Sequence, residues 1–460
     1  MRTVSATVAD VLAAGRLDAR FFVERIPLAR ILEGSKHPLA SVRDVFGHER
    51  ILLPNIFERV PAASEEFGKP ILTPYDCFRY LPYSNDFLSS SQVSSYSSLA
   101  IQRGWLLIVC SGRNLGPVTL VDRFLERFVI SHDMIRLCVP PTDELFYFMA
   151  VMHTQIGQAL VRRGRNGSVI DHLDAKQIGS LRYPVVNSAL KKRCAAAFRK
   201  ASEWREDARL SLDRLANDFL NCLGLSDFAE RLRQTDRLRR FALTSNTLGG
   251  RIDSEYYAPR YSAYRRMILE TDSAPLGELA RIFKPPGRYR TLYVEDPAFG
   301  IRILSGRQIA QFRPIGLKLM SRTAWTDPAS YVLQKNTVLV TSDGRADENL
   351  ADCALVRRDR HGWAASGHVH RLMPRSGVHP GLLYLACASK PVQEIFKSLA
   401  TGSVVDALSV TDLASVRLPY SAGAKAEKLG DAAVAAWDRF ADAAVAENDA
   451  INALEAELET

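Results

Sequence analysis

The chain repeats parts of its own sequence at a nearly constant offset. The segment Gly15 to Phe22 returns as Gly250 to Tyr257. The segment Gly167 to Pro184 returns as Gly402 to Pro419 at the same offset. Repetition at a fixed offset indicates that one structural unit occurs twice. The sequence therefore predicts two similar halves that differ mainly in their loops.

Within each half, the pattern of residues predicts both strands and helices. An apolar strand at Leu106 to Cys110 matches another at Val338 to Thr341, and each ends in a turn that contains Gly and Arg. A helix is expected next, over Glu144 to Val161 in the first half and over Pro380 to Leu399 in the second. Mixed content of this kind predicts an α+β fold that is present twice.

A long helix is predicted to close each half. From Ala189 to Leu223, apolar or small residues recur in alternating steps of four and three, with one extra step of four after Trp204. This is the seam of a coiled coil with a single stutter. The stretch Ala424 to Leu458 repeats the pattern, with Glu447 as its polar interruption. We expect the two helices to pair with each other; the alternative is that each packs only on its own half.

The distribution of charge favours a polyanion as partner. The formal net charge is +9, but residues 431–460 hold eight acidic residues and Arg439 as their one base. The rest of the chain therefore carries +16, which is typical of nucleic-acid-binding proteins and also occurs in others. Seven cysteines without a Cys-x-x-Cys pair indicate reduced thiols rather than a disulfide framework or a zinc site.

The sequence lacks the patterns of several other protein classes. It has no run of 18 or more apolar residues and no signal peptide, so we expect a cytoplasmic protein. Nucleotide-binding loops, the HExxH motif and the Asn/Asp-Pro-Pro-Tyr/Phe loop of DNA amino-methyltransferases are absent; Asp296 to Phe299 comes nearest to the last and lacks its second Pro. His368 and His370 have His361 nearby, but a zinc site needs third and fourth ligands. We predict no catalytic residue and no metal site.

Two diverged α+β halves, each ending in Gly-Ser-Val, a short helix and a Pro before a long helix, resemble the specificity (S) subunit of type I DNA restriction-modification systems. The resemblance covers essentially the whole chain, and its most specific parts are Asn166 to Pro184 and Thr401 to Pro419. It implies a first target-recognition domain, a central spacer helix, a connector with a second target-recognition domain, and a C-terminal spacer helix that pairs with the central one as an antiparallel coiled coil. The boundaries that we assign to these four parts are 1–188, 189–223, 224–420 and 421–460.

The resemblance also implies a function and a set of partners. A specificity subunit is non-catalytic and recognises a bipartite, asymmetric site in double-stranded DNA. Two adenine methyltransferase subunits dock on the helix pair and bring S-adenosylmethionine, so this chain would bind no cofactor; a restriction subunit joins them in some complexes. A related phage-defence complex is an alternative. Helices of ~45–50 Å would hold the domains slightly more than one DNA turn apart.

Candidate DNA-contacting residues are turn and loop residues with forked donors or amides. For base reading we predict Arg79, Asn85, Gln92, Arg113, Asn114, Arg288, Arg290, Arg307, Gln308 and Arg345. For phosphate contacts we predict Arg162, Arg163, Arg165, Lys284 and Lys318. Arg113 and Arg345 stand out because both follow the Gly that ends a buried strand. A solvated or structural role is the alternative for each of them.

Two other function classes compete with DNA recognition. In the first, the chain is a scaffold whose helix pair recruits partners while the globular domains bind protein or RNA. In the second, it is an enzyme that acts alone, which predicts cofactor-dependent turnover by the purified chain. Salt-dependent binding to mixed-sequence duplex DNA separates the DNA-recognition hypothesis from both, because phosphate contacts release counterions.

Overall fold

The structure is a computed structural model. It describes residues 7–9, 36–56, 58–112, 114–163, 172–228, 232, 241–245, 248, 251–284, 292–323, 331–346, 348–402, 406–421 and 423–458. The predicted repeat segment Gly15 to Phe22 lies outside them. The chain forms two compact units: the first comprises residues 1–206 and 442–460, and the second comprises residues 207–441. Each unit contains both strands and helices, which confirms the predicted α+β class.

The first unit consists of short strands and helices followed by part of a long helix. Its strands are β1 Leu39–Ser41, β2 Ile51–Leu52, β3 Pro61–Ala62, β4 Gly68–Leu72, β5 Phe87–Ser89, β6 Leu106–Val109, β7 Val118–Leu120, β8 Val129–Ile130, β9 Met134–Leu137 and β10 Arg182–Pro184. Its helices are α1 Val42–Phe46, α2 Val93–Leu99, α3 Asp143–His153, α4 Gln155–Arg163, α5 Ala175–Gly179 and the first part of α6 Ser188–Cys222.

The second unit has most of these elements in the same order. Its strands are β11 Ser273–Pro275, β12 Ala280–Phe283, β13 Tyr293–Val294, β14 Gly300–Leu304, β15 Lys318–Ser321, β16 Val338–Thr341, β17 Asp343–Gly344, β18 Cys353–Leu355, β19 Ala364–Ala365, β20 Val369–Pro374, β21 Asp406–Ala407 and β22 Arg417–Pro419. Its helices are α7 Ser254–Tyr257, α8 Pro259–Leu269, α9 Leu276–Leu279, α10 Pro380–Ala388, α11 Lys390–Ser398, α12 Val410–Ser415 and the first part of α13 Ala424–Leu458. Among the described residues, helices α7 and α8 and strands β17 and β21 are additional to the elements of the first unit.

The strands of the two units are connected in the same way. The first unit has one sheet in the order β2-β9-β6-β7 and another in the order β3-β5-β4-β8. The second unit has the corresponding sheets β12-β20-β16-β18 and β13-β15-β14-β19. In both units the last pair of the second sheet, β4 with β8 and β14 with β19, is parallel. One topology that occurs twice confirms the duplication predicted from the sequence.

The central strand and the helix after it form the core of each unit. All four residues of β6 and all four of β16 are buried, as expected of a strand that is covered on both faces. In the first unit, every residue from Leu145 to Met152 in helix α3 is also buried. The turn at the end of each central strand is thereby held at a defined position on the surface of its unit.

A buried arginine ties the two sheets of each unit together. Arg136 on β9 is 1% exposed, and its guanidinium donates to the carbonyl oxygens of Met134 at 2.6 Å and Ile130 at 2.7 Å. Arg371 on β20 occupies the equivalent position of the repeat and donates to the carbonyl oxygen of Ala365 at 2.7 Å. Ile130 and Ala365 are also equivalent in the repeat, and both belong to the second sheet. Burial lowers the pKa of Arg136 to about 10, so the side chain remains charged at neutral pH.

The helix after the central strand is broken in both units, which corrects the prediction of one continuous helix in each. Thr154 separates α3 from α4, and Ser389 separates α10 from α11. Each hydroxyl donates to the carbonyl oxygen three residues earlier, at 2.6 Å from Thr154 and 2.8 Å from Ser389. Such bonds compete with the helical backbone pattern. In the second unit Pro391 follows in the first turn of α11, where its missing N–H favours a helix start.

Both long helices are present, and their portions in the first unit pack antiparallel. Helix α13 has the predicted bounds, and α6 begins and ends one residue earlier than predicted. The Cys194 thiol donates to the carbonyl oxygen of Ala450 at 3.7 Å, and Arg205 lies 2.8 Å from Glu447. Positions that ascend along α6 therefore meet positions that descend along α13. This confirms the antiparallel pairing that the family resemblance implies.

Glu447, the polar interruption of the predicted seam, forms a buried ion pair. Its side chain is 3% exposed, that of Arg205 is 7% exposed, and Arg205 Nη2 lies 2.8 Å from Glu447 Oε1. A charge is tolerated at such a position only when it is paired and hydrogen-bonded. The apolar pattern could not reveal the pair, because Arg205 falls outside the predicted seam of α6.

In the second unit, the remaining portions of both helices contact the globular part. The Arg209 guanidinium of α6 lies 5.4 Å from the centre of the Phe312 ring. On α13, the Asp438 carboxylate accepts two hydrogen bonds of 2.6 Å from Arg357. Trp437, which precedes Asp438, is 2% exposed, whereas the Asp438 side chain is 40% exposed. These contacts give Arg209 of α6 and Asp438 of α13 partners within the second unit.

Burial explains the state of the cysteines. All seven thiols are free; Cys222 and Cys353 are partly exposed and the others are buried. Burial raises the pKa of Cys110 to about 12 and that of Cys138 to about 11, which keeps both protonated at neutral pH. None of the helices in the described ranges is long and apolar enough to cross a membrane.

Candidate nucleic-acid interface

The end of the central strand in the second unit carries a polar cluster. Lys284 Nζ donates to the Asp343 carboxylate at 3.1 Å, the Ser342 hydroxyl donates to the same carboxylate, and the His368 imidazole lies 3.5 Å from it. Burial would raise the pKa of Asp343, but the hydrogen bonds from Ser342 and Lys284 and the nearby positive charges outweigh it and lower the pKa. Lys284, a predicted phosphate contact, is therefore held by an ionised carboxylate.

Two predicted base-reading arginines meet at one carboxylate beside this cluster. Arg307 Nη2 lies 3.1 Å from one oxygen of Glu348, and Arg345 Nη1 lies 3.4 Å from the other. Both guanidinium groups are more than half exposed, at 53% and 64%. Arginine donors can bind guanine edges or phosphates. The structure thus brings together two candidates that are well separated in the sequence.

The two predicted base-reading glutamines hold their own loops. The Gln92 amide accepts a hydrogen bond from the Val60 backbone N–H at 2.8 Å and donates to the carbonyl oxygen of Glu58 at 2.7 Å. Gln308 accepts from the backbone N–H of Ser305 at 2.9 Å and donates to the carbonyl oxygen of Ile315 at 2.8 Å. Base reading by either residue stays a prediction, and it would require these bonds to be exchanged.

Three other candidates of the first unit lie in different surroundings. Arg79 is 7% exposed, and its guanidinium lies 4.3 Å from the centre of the Tyr83 ring. The Asn114 amide donates to the Tyr75 hydroxyl at 2.9 Å. Asn85 is exposed between β4 and β5. Asn85 is therefore the candidate of this group with the greatest access to a nucleic acid.

The remaining candidates are exposed or lie outside the described residues. Lys318 is exposed, and its ammonium group lies 4.5 Å from the centre of the Tyr293 ring. Arg162 is exposed at the end of α4; Arg163 ends the same helix, and its side chain is not described. Four candidates are outside the described residues, namely Arg113, Arg165, Arg288 and Arg290.

An exposed phenylalanine occurs at the same turn of both units. It is not among the predicted DNA-contacting residues, all of which are polar or charged. Phe67 is 57% exposed and Phe299 is 66% exposed. The carbonyl oxygen of Phe67 accepts from the Ser90 N–H at 2.9 Å, and that of Phe299 accepts from the Arg322 N–H at 3.0 Å. The dipeptide Phe-Gly occurs at both positions, and their offset is the one that relates the two central strands. This repetition was the sequence signal that could have identified the two rings. Exposed rings of this kind can contact thymine methyl groups.

A cleft of about 230 Å³ lies at the end of β6 in the first unit. It is lined by His132, Asp133 and His172, beside the turn that leads to Arg113. An Arg59 guanidinium nitrogen lies 3.2 Å from His132 Nδ1 and 3.7 Å from the Asp133 carboxylate. Carboxylates can accept a hydrogen bond from a cytosine amino group. In the part of the chain that the structure describes, no group of three or more His, Cys, Asp or Glu residues is arranged to hold a metal ion.

Acidification is expected to destabilise the second unit through His370. This ring is fully buried, and Nε2 lies 2.9 Å from the carbonyl oxygen of Leu408. Burial lowers the pKa of His370 to about 4. Between pH 6.5 and 4 the unfolded chain would bind a proton that the folded chain does not, so the free energy of unfolding should fall by on the order of 3 kcal/mol over that interval. Above pH 6.5 this contribution is constant.

Urea denaturation at pH 7.5 and pH 4.5 measures this effect. The variant His370→Asn should lose most of the pH dependence between these values. The variant His361→Asn is the matched control, since His361 is an exposed histidine of the same unit. If the free energy of unfolding of His370→Asn falls between pH 7.5 and pH 4.5 as much as that of the wild type, groups other than His370 cause the acid sensitivity.

Comparison with known proteins gives matches among solved structures. No protein-family model and no curated protein matches the sequence. A type I restriction-modification S subunit from M. genitalium matches 92% of this chain and 96% of its own, with 13% identity and a TM-score of 0.29. The HsdS subunit from Thermoanaerobacter tengcongensis matches 92% of this chain and 95% of its own, with 12% identity and a TM-score of 0.26.

A third match comes from a structural study of assembly and conformational transition in the type I restriction-modification system. It covers 92% of this chain and 98% of the other, with 12% identity and a TM-score of 0.27. Over 92% of its length, this chain is similar to solved structures of type I restriction-modification systems, two of them S subunits, the family that its sequence resembles.

Proposed function

We propose that this chain is the DNA-recognition subunit of a type I restriction-modification complex or of a related phage-defence complex. One target-recognition domain in each unit reads one half of a bipartite, asymmetric site in double-stranded DNA. The chain is non-catalytic and positions two adenine methyltransferase subunits, which bring S-adenosylmethionine. A restriction subunit joins the complex where DNA is cleaved.

The observation that supports this proposal best is one fold that recurs with different chemistry at its strand ends. Both units have the same strand order. At the end of the central strand, the first unit pairs Ser111 with His172, whereas the second pairs Asp343 with Ala407 at the equivalent positions. Two readers of one fold with different side chains at equivalent positions suit a site whose two halves differ in sequence.

The charge of the chain supports DNA as the ligand of both readers. The net charge of +16 outside residues 431–460 favours a polyanion. Exposed cationic groups of Arg307 and Arg345 lie beside the polar cluster of the second unit, and Arg59 borders the cleft of the first. Phosphate contacts from such groups would set the register of each unit on the duplex.

Equilibrium binding to duplex DNA tests the proposal. Fluorescence anisotropy with the full-length chain and a labelled mixed-sequence duplex should give a binding constant whose logarithm falls linearly with the logarithm of salt concentration. Methyltransferase subunits should sharpen binding to one bipartite site. Mapping of modified adenines in the source genome with and without this chain should then identify that site. Absence of salt-dependent DNA binding would favour the scaffold alternative.

Exchanging the first target-recognition domain tests whether it recognises its half of the DNA site independently of the second. Replacing Leu17 to Pro184 by the matching segment of a related chain should change one half of the methylated site and leave the other half intact. The readout is the sequence of the modified site, so the result does not depend on affinity. A change in both halves would exclude one independent reader in each part of the chain.

Replacing Glu348 by Gln is expected to strengthen binding to mixed-sequence duplex DNA. The carboxylate lies within 3.4 Å of both Arg307 and Arg345, so it competes with phosphate for their charge. Its removal should lower the dissociation constant severalfold at low salt and steepen the salt slope by about one unit for one additional phosphate contact. Anisotropy titrations at several salt concentrations measure both quantities.

The matched control for this variant is Glu255→Gln. It removes the same charge from another exposed ion pair of the second unit, in which Arg260 lies 2.6 Å from Glu255. If the Glu348 carboxylate has a specific role, Glu348→Gln should lower the dissociation constant for DNA more than Glu255→Gln does. Equal effects would mean that net charge alone controls affinity and that the two arginines are not placed on the DNA.

A further inference from the structure

The first unit contains a cavity of about 260 Å³ beside helix α6. Its apolar lining comes from Leu120, Val121, Pro141 and Phe146, and the charged residues Asp122, Glu203, Arg205 and Glu206 also line it. Ser202 of α6 faces it and contributes a small side chain whose hydroxyl donates to the carbonyl oxygen of Phe198. None of the candidate DNA-contacting residues whose side chains the structure describes lines this cavity.

Guanidinium groups that are fixed by carboxylates surround the cavity. Arg103 donates to both oxygens of Glu206 at 3.0 and 2.9 Å. Arg199 forms an ion pair with Asp143, and its guanidinium lies 5.2 Å from the centre of the Phe146 ring. Arg103 and Arg199 are about half exposed, at 51% and 41%. The cavity therefore combines apolar lining residues with two half-exposed guanidinium groups that carboxylates already hold in place.

The equivalent place in the second unit is filled by an indole ring. Ser202 corresponds to Trp437 when the two halves of the sequence are aligned on their repeat. Trp437 is 2% exposed, with its ring centre 5.2 Å from that of Tyr384 and 5.7 Å from that of Phe440. In the second unit the Trp437 indole is thus enclosed by the protein. In the first unit Ser202 occupies the corresponding position, and a cavity lies beside it.

The neighbours of the two positions also correspond. Gly104, which lines the cavity, matches Asn336, and both have positive φ, at 92° and 72°. Val121 of the apolar lining matches the buried Val356. Two backbone positions that line the cavity therefore have counterparts of similar conformation or burial in the second unit. The side chains differ at position 202 and also at Arg205, which lines the cavity and corresponds to Phe440.

We propose that this cavity binds one planar aromatic group, supplied as a tryptophan side chain by a protein partner. An apolar cavity of ~150 Å³ is sufficient to bind benzene, so the larger volume here suits a two-ring indole. Guanidinium planes stack on aromatic faces. Tryptophan is enriched among residues that dominate protein interfaces, where it fills pockets. The site goes beyond DNA recognition and belongs to a protein–protein contact.

Titration calorimetry of the full-length chain with indole and with N-acetyltryptophanamide tests the site. The second probe carries a blocked backbone and therefore reports whether a tryptophan within a chain can enter. We expect saturable binding of both probes with one site in the wild type. Binding of indole without binding of N-acetyltryptophanamide would exclude a partner side chain, and binding of neither would exclude the site.

Three substitutions test whether the probes bind in the cavity. Ser202→Trp supplies the indole from within and should reduce the number of sites from one to zero; Ser202→Leu is a smaller filler that should weaken affinity at least tenfold. Trp437→Ser should open the equivalent cavity in the second unit and raise the number of sites to two, with a larger indole-induced rise in Tm than in the wild type. Unchanged binding by a folded Ser202→Trp or Ser202→Leu variant would place the ligand elsewhere and contradict the proposal. Because no step uses DNA, failure of this site and failure of DNA recognition are distinguishable.

Discussion

Replacing Glu447 by Ala is expected to lower the free energy of unfolding by about 3–5 kcal/mol, the range for removal of one partner of a buried ion pair. Glu447 Oε1 lies 2.8 Å from Arg205 Nη2, and both side chains are almost fully buried. Without the carboxylate, the Arg205 charge would remain poorly solvated and less well compensated. Urea denaturation of the full-length variant measures the change.

Two further variants separate charge from packing. The double variant Arg205→Met with Glu447→Leu removes both charges but keeps apolar volume, so its free energy of unfolding should equal or exceed that of the wild type. Glu255→Ala breaks an exposed pair, whose side chains are 45% and 61% exposed, and should change the free energy by about 0–1 kcal/mol. If the double variant is as unstable as Glu447→Ala, the effect comes from packing and the electrostatic explanation is wrong.

Replacing Arg136 by Ala is expected to destabilise the first unit by about 3–6 kcal/mol, at ~1.5–3 kcal/mol for each of two hydrogen bonds to a charged donor. Those bonds, of 2.6 and 2.7 Å, reach the carbonyl oxygens of Met134 and Ile130. Since Ile130 belongs to the second sheet, loss of the guanidinium should loosen strand β8 from strand β9. Hydrogen exchange measured by mass spectrometry should show faster exchange in both strands.

The repeat supplies the controls for this experiment. Arg371→Ala should increase exchange in β19 and β20 and leave β8 and β9 unchanged, because Arg371 bonds to Ala365 within the second unit. Arg43→Ala removes an arginine that is 63% exposed and should leave all four strands as they are. Slow exchange of β8 in Arg136→Ala would mean that other contacts hold the two sheets together.

The positions of the long helices and the central strands were predictable because each follows from local periodicity. The predicted strand Val338 to Thr341 has the observed bounds, and α6 differs from its prediction by one residue at each end. The breaks at Thr154 and Ser389 were not predictable in the same way. They depend on hydroxyl groups that bond to the backbone, and an apolar period does not detect such bonds. The domain boundaries at 188, 223 and 420 stay predictions.

The sequence predicted the chemical type of the residues in the candidate site better than the contacts that each of them makes. Arg307 and Arg345 were chosen for their forked donors, and both are exposed, but their common carboxylate Glu348 was not considered. Gln92 and Gln308 were chosen for amides that can read bases, yet each amide bonds to its own loop. Side-chain chemistry limits which ligands a residue can bind. Its distance to other parts of the chain determines whether the group is available.

Nearly equal offsets and matching apolar periods were sufficient to predict that one fold occurs twice, because both require similar local structure. The sequence also determined that a long helix closes each half. The pairing of Glu447 with Arg205, the links between sheets by Arg136 and Arg371, and the cavity beside Ser202 could be read from the folded chain but not from the sequence. Periodicity is a property of neighbouring residues, whereas ion pairs, buried hydrogen bonds and cavities depend on distances between residues that are far apart in the chain.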